Sequence, residues 1–262
     1  RGSLFHKVGG HVFNSKNKKV KDWFWQNFSK ENEFLEAKRN SSIFLNNQFI
    51  SYPIELNIAS FKDKEITRKI IEEFIEIANQ EKRENYLNFD DFLKSNFGNT
   101  LYSIYFRPYN KKLWKRDLKS MPLDWLEGKL PMINPKEIII KNIISNQNDE
   151  MPHAFFYYPK KGGSQFIIDR LSKGLKINNT EVFKISKDEK FYINKEKKLF
   201  DHIIYTGNVK EIKNVLDRKL IDEIGINEEL EMINSLESNG TYNIFFECDK
   251  NDFSWIYIPE EK

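Results

Sequence analysis

Apolar residues along this chain change period several times, and each change marks an element. Between 61 and 83, Ile66, Ile70, Ile71, Phe74 and Ile77 fall on one stripe with charges elsewhere, which predicts an amphipathic helix. Ser60 with Asp63 is the capping-box pair nearest its start, with Asp where Glu or Gln is preferred. Val20, Trp23, Phe24 and Phe28 predict a shorter helix over 18–28. Ile43-Phe44-Leu45, Asn46-Asn47 and Phe49-Ile50-Ser51-Tyr52 read as strand, turn and strand, a hairpin. A second helical region covers 89–106, interrupted at Gly98, and the prolines within 107–137 predict short helices and loops. Strands are expected at 153–159, 181–185, 190–193, 202–205, 242–247 and 253–258, with helices at 164–173, 209–217 and 227–236. This irregular alternation predicts an α+β (mixed α/β) fold with a helical insertion.

Composition narrows the function classes. The chain has 262 residues, enough for one large domain or two smaller ones with a sizeable core. Lys and Arg total 42 against 39 Asp and Glu, a net charge of +3, which argues against a nucleic-acid partner. Apolar runs such as Ile138-Ile139-Ile140 are too short to span a bilayer, so no membrane partner is expected. Cys248 is the one cysteine, which excludes an internal disulfide and a cysteine-built zinc site and points to the cytoplasm. His6, His11, His153 and His202 show no metal-ligand spacing, and no metal is expected. The chain contains no Walker loop, no nucleophile elbow and no Gly-x-Gly-x-x-Gly fingerprint. It opens on Arg1 and enters a dense motif at once, so its boundary reads as imposed by cloning or proteolysis.

Seven segments then stand out in order: Gly9-Gly10-His11-Val12-Phe13; Ser51-Tyr52-Pro53-Ile54-Glu55-Leu56-Asn57; Phe89-Asp90-Asp91-Phe92-Leu93 running through Phe97-Gly98-Asn99 to Phe106-Arg107-Pro108-Tyr109-Asn110-Lys111-Lys112-Leu113-Trp114; Met121-Pro122-Leu123-Asp124-Trp125-Leu126 running into Pro131-Met132-Ile133-Asn134-Pro135; Phe155-Phe156-Tyr157-Tyr158-Pro159-Lys160-Lys161-Gly162-Gly163; Asp201-His202-Ile203-Ile204-Tyr205-Thr206-Gly207-Asn208; and Trp255-Ile256-Tyr257-Ile258-Pro259-Glu260. Together they resemble the flavoenzyme family of UDP-galactopyranose mutases, and more loosely the flavin amine oxidases and protoporphyrinogen oxidases. The long third segment carries most of the likeness, and residues 210–240 carry little.

The resemblance implies an FAD-dependent isomerisation of a nucleotide-sugar such as UDP-galactose, in which the cofactor carries the chemistry and the protein supplies position and charge. It implies that Gly9, Gly10, His11, Gly162, Gly163 and Thr206 contact the cofactor, with His11 also counted among the catalytic residues. Arg107 is the implied diphosphate clamp and second catalytic residue, a role suited to a permanently charged, forked donor. Tyr52, Asn134, Trp255 and Tyr257 are the implied substrate contacts. The domains expected are a partial FAD-binding domain from 1–17 and 160–240, an antiparallel substrate-domain sheet from 43–58, 153–159 and 241–262, and a helical insertion at 60–150. Three departures from the family matter: the Gly-rich βαβ start and the C-terminal flavin-binding segment are missing, and Glu55 stands where the eukaryotic-type branch tends to carry a neutral amide. The fragment itself is therefore expected to hold FAD poorly and to be inactive alone. Two other readings stay open, an amine-oxidase- or desaturase-like oxidoreductase and a non-catalytic nucleotide-sugar-binding homologue, as does a homo-oligomer.

Overall fold

The computed structural model describes residues 11–81, 83, 85–126, 134–144, 155–194 and 198–260. The chain runs through α1 (Lys18–Asn27), α2 (Lys30–Glu33), β1 (Phe34–Lys38), β2 (Ser41–Leu45), β3 (Gln48–Ser51), α3 (Lys64–Asn79), α4 (Phe89–Leu101), α5 (Arg107–Trp114), α6 (Pro135–Ile144), β4 (Phe155–Pro159) and α7 (Gln165–Leu171). It continues through β5 (Ile185–Lys187), β6 (Phe191–Ile193), β7 (Leu199–Phe200), α8 (Ile212–Val215), α9 (Arg218–Ile224), α10 (Asn227–Ser235) and β8 (Trp255–Tyr257). Helices and mixed sheets place it in the expected α+β class. Two compact units result, Arg1–Leu171 with Thr241–Lys262, and Ser172–Gly240.

In the first unit the hydrophobic stripe of α3 does what its spacing predicts. Ile70 and Phe74 are fully buried against α4 and α6, together with Phe89 and Leu93 of α4. Burying side chains of this size stabilises the fold by roughly 2 to 3 kcal/mol each. The helix starts at Asp63, whose Oδ1 accepts from the N–H groups of Glu65 at 2.9 Å and Ile66 at 3.2 Å. Ser60 takes no part in the cap; its hydroxyl donates to the Asn57 carbonyl at 2.6 Å.

The strands depart from the single antiparallel sheet expected. The β2–β3 hairpin forms as predicted, turning through Asn46 and Asn47, both in the left-handed region at φ 49° and 54°. The 153–159 segment is elsewhere: β4 pairs antiparallel with β1, a strand the sequence pattern did not reveal, because Phe34-Leu35-Glu36-Ala37-Lys38 lacks a clean alternation. β8 joins β2 in parallel, giving the order β3-β2-β8. Asn40 imposes that direction: its N–H donates to Ser254 Oγ, its side chain to the Asp252 carbonyl, and its carbonyl accepts from the Ser254 N–H at 2.7 Å. Residues 242–247 form no strand, and Tyr242, Ile244 and Phe246 are exposed.

A second, aromatic core sits between α1, the β1–β4 pair and α7. Phe24, Phe28 and Phe34 are buried there, with Phe13, Tyr157 and Phe166 packed around them. This cluster draws residues 11–17 and 160–171 into the first unit, where the expected boundaries had grouped them with 172–240.

Within the second unit, β5, β6 and β7 form a small antiparallel meander. Residues 181–184 lie outside it. Asn194 stitches them instead, accepting from the N–H groups of Phe183 and Lys184 and donating to the Glu181 carbonyl. The strand expected at 202–205 is likewise displaced, since the β6 edge is taken by Leu199 and Phe200. Among the described residues no helix is long and apolar enough to cross a membrane.

Candidate functional site

Three neighbouring pieces of backbone converge on one guanidinium. Arg39 occupies the link between β1 and β2, where Asn40 holds the approach to β8. The parallel register sets Ser41 beside Trp255 and Ile43 beside Tyr257, and alternation along β8 turns Trp255 and Tyr257 to the same face. The Tyr52 N–H donates to the Ser41 carbonyl at 3.0 Å, which pins the Tyr-Pro segment alongside.

Arg39 donates through Nε to Ser41 Oγ at 2.8 Å and through Nη2 to Tyr257 Oη. Its guanidinium lies 4.9 Å from the Trp255 ring centre and 5.6 Å from that of Tyr52. Tyr52 and Tyr257 meet at 5.0 Å between centroids, and Trp255 takes an edge contact with Phe156 at 5.6 Å. Among the described residues two of the five guanidinium N–H groups are engaged.

Two more phenols complete the wall. Residues 102–106 form a π-helical turn, with the Arg107 N–H reaching back to the Tyr102 carbonyl, before α5 continues. Such turns re-aim side chains and recur at functional sites. Here Tyr105 and Tyr109 stack at 5.6 Å and 11°, and Tyr109 stands edge-on to Tyr257 at 5.8 Å. Burial raises the Tyr52 hydroxyl pKa, helped by Glu55 and Tyr257 and opposed by Arg39. Burial likewise pushes Tyr109 up to about 12 and carries Tyr105 far above the ordinary phenol value. Near neutral pH these hydroxyls are protonated donors beside a fixed positive charge.

The residues singled out from sequence fare unequally. Tyr52, Trp255 and Tyr257 are brought together around Arg39. Arg107 is not part of their cluster. It lies two residues from both Tyr105 and Tyr109, so on the other side of the helix, exposed and close enough to Tyr102 to influence its hydroxyl. Asn134 is exposed and caps α6, its Oδ1 accepting from the Lys136 N–H at 2.9 Å and its carbonyl from the Ile138 N–H at 3.0 Å. The buried amide near the site is Asn142, which donates to the Glu55 and Ile138 carbonyls at 2.8 Å each. Arg39, Tyr105 and Tyr109 escaped the sequence analysis. Tyr105 and Tyr109 carried a usable signal, their four-residue spacing; Arg39 carried none.

The cofactor residues divide as well. Gly162 and Gly163 sit at φ 75° and 59°, conformations glycine adopts without strain. A Cβ on Gly163 would stand 3.1 Å from Tyr158 Oη, so packing also favours glycine there. The following Ser164 donates to the His11 carbonyl at 3.1 Å, which joins the glycine turn to the histidine loop. Gly9 and Gly10 lie outside the described residues. Thr206 belongs to the second unit, in an exposed loop and not at a strand end.

No protein-family model matches the chain. Among solved structures it is similar to a reduced UDP-galactopyranose mutase, with a TM-score of 0.71 and 21% identity over 87% of this chain and 50% of that one. It is also similar to a protein from Exiguobacterium sp. 255-15 assigned as a protoporphyrinogen oxidase, with a TM-score of 0.51 and 10% identity over 79% of this chain and 53% of that one. The likeness is one of fold. The chain spans about half the length of the solved structures it matches.

Proposed function

We propose, with the mutase-type fold as premise, that the protein carrying this chain is an FAD-dependent isomerase that converts UDP-galactopyranose to the furanose form. The observation that carries this reading is the Arg39 guanidinium, fixed among Tyr52, Trp255 and Tyr257 with donors to spare. A sugar diphosphate needs such a place, because its charge is permanent and its oxygens accept from forked donors.

In this reading Gly162, Gly163 and the His11 loop hold the flavin, which when bound supplies the nucleophilic chemistry at the anomeric carbon. The chain's own residues bind and orient. Arg39 neutralises the diphosphate, and Tyr52, Tyr109 and Tyr257 donate through their hydroxyls. Charge that develops on departing UDP meets donors already in place, the condition under which such contacts lower a barrier most. In this reading the diphosphate role implied for Arg107 passes to Arg39, because Arg39 is held on Tyr257 and packed over Tyr52.

The test uses the full-length protein, loaded with FAD, chemically reduced and mixed with UDP-galactopyranose, with products separated by chromatography. Furanose product is the expected result. Binding of the nucleotide-sugar without product would move the protein to a non-catalytic binding role. No binding, with the flavin reduced by some other small molecule, would favour the oxidase reading that the second fold likeness keeps open.

A further inference from the structure

The wall of the proposed site is built from two layers that are far apart in the chain, and one lysine joins them. Arg39, Tyr52, Trp255 and Tyr257 stand on or beside the β3-β2-β8 sheet, whereas Tyr105 and Tyr109 stand on the π-turn and α5. Lys112 lies one turn beyond Tyr109 on the same face of α5. Its Nζ donates to the Ile258 carbonyl at 3.0 Å and to the Glu260 carbonyl at 2.9 Å. Those carbonyls belong to the residues that follow β8. Pro259 between them is buried and has no N–H to extend the β2–β8 ladder, so the chain leaves the sheet there and gives its carbonyls to α5.

The strand depends on such ties. It has three residues, its parallel pairing is with β2, and residues 236–254 before it carry no helix or strand. Asn40 anchors its leading end through Asp252 and Ser254. Lys112 anchors its trailing end. Between the two anchors lies Tyr257, whose ring stands edge-on to Tyr109 at 5.8 Å and whose hydroxyl accepts from Arg39. An ammonium suits the task because it carries three donors around a point charge and can serve two carbonyls at once. Both acceptors are uncharged, so the contact is a pair of charge-assisted hydrogen bonds and not an ion pair.

We propose that Lys112 is a positioning residue for ligand binding: by clasping the end of β8 to α5 it fixes Tyr257, and through it Arg39, opposite Tyr109. This rests on the proposed nucleotide-sugar site and names what holds its two halves at one spacing. Without the clasp, residues 258–260 can part from α5, and the ordering of Tyr257 and Arg39 falls on the ligand, which lowers affinity. The ammonium is occupied by backbone, so it acts on the ligand through geometry and not as a distant charge.

The experiment is a calorimetric titration of the full-length, FAD-loaded protein with UDP-galactose, comparing wild type with Lys112→Met, Lys112→Arg and Lys111→Met. Lys112→Met keeps most of the side-chain length without the donors and should raise the dissociation constant about threefold to tenfold, the scale of such hydrogen bonds. Lys112→Arg can still donate to both carbonyls and should stay within about twofold of wild type. Lys111→Met removes the same charge one position away and should also stay within about twofold. The ratio of Lys112→Met to wild type should hold steady between about 0.05 M and about 0.3 M salt, because screening weakens distant charges far more than hydrogen bonds to carbonyls. Unchanged binding by Lys112→Met overturns the role of Lys112 and leaves the site reading standing. So does equal weakening in Lys111→Met, or a ratio that collapses with salt, since either makes Lys112 a plain attractive charge. Failure of Lys112→Arg to restore binding counts against the clasp in the same way. If Lys112→Met does not fold, Lys112→Gln, too short to reach both carbonyls, replaces it with the same expected weakening. No binding by folded wild type removes the nucleotide-sugar reading and the role of Lys112 with it.

Discussion

Arg39 and Arg107 present the same chemistry in different surroundings, and a pair of variants separates them. Arg39 is held by Ser41 and Tyr257 and packed on two rings, so a ligand finds its donors already oriented. Arg107 is exposed on the far side of the helix that carries Tyr105 and Tyr109. A hydrogen bond to a charged group contributes roughly 1.5 to 3 kcal/mol, or about tenfold to a hundredfold in affinity. Arg39→Ala should therefore weaken UDP-galactose binding by about that factor, while Arg107→Ala should change it less than about twofold. Calorimetry on the folded variants decides; the reverse order would return the diphosphate role to Arg107. The sequence marked Tyr52, Trp255 and Tyr257 because each sits in a recognisable local segment. It did not mark Arg39, whose neighbours in space are 218 positions away in the case of Tyr257. Asn134 illustrates the opposite error: Asn before Pro at a helix start reads equally well as a cap, and a cap is what it is.

Among the elements, α4 repays the closest look. Gly98 interrupts it at φ 75° and ψ 165°, a conformation almost confined to glycine. Glu73 of α3 braces the interruption, accepting from Thr100 N–H at 2.8 Å and Thr100 Oγ1 at 2.7 Å. A Cβ added at Gly98 would stand 2.9 Å from the Glu73 Cβ. Gly98→Ala is thus strained twice, by backbone and by contact, and should cost about 2 kcal/mol or more, measured by denaturant unfolding. A change under about 0.5 kcal/mol would show that the kink relaxes freely. Sequence analysis placed the interruption at Gly98 correctly because glycine within a helical pattern is a local signal. It did not foresee the π-turn at 102–106, although Pro108, which has no N–H for the Ile104 carbonyl, follows directly. Strand pairing was the least legible feature: the β2–β3 hairpin needed only local residues, whereas the partners of β4 and β8 were set by Phe34 and Asn40, far away in the chain.

Over the whole molecule, regular structure and burial are unevenly spread. The first unit holds a large apolar core around α3 and α4, while residues 236–254 carry no helix or strand. Tyr242 and Phe246 are 96% and 81% exposed. Proteases attack exposed chain without regular structure first. Limited digestion with chymotrypsin should therefore cut at 242–246 before it cuts in α3 or α4, as mass spectrometry of the early fragments would reveal. Early cleavage within α3 would contradict the core described for this unit. The parallel seam between β2 and β8 has a temporal meaning as well. On the ribosome β2 and β3 emerge early and can pair at once, yet Arg39 has no Tyr257 to hold until some two hundred further residues have been made. Throughout that interval the Ser41–Ile43 edge is a vacant strand position in a nascent chain, open to whatever extended peptide passes nearby. The proposed site in this sense waits for β8, and a chain stalled before that strand would leave behind a folded hairpin with no site.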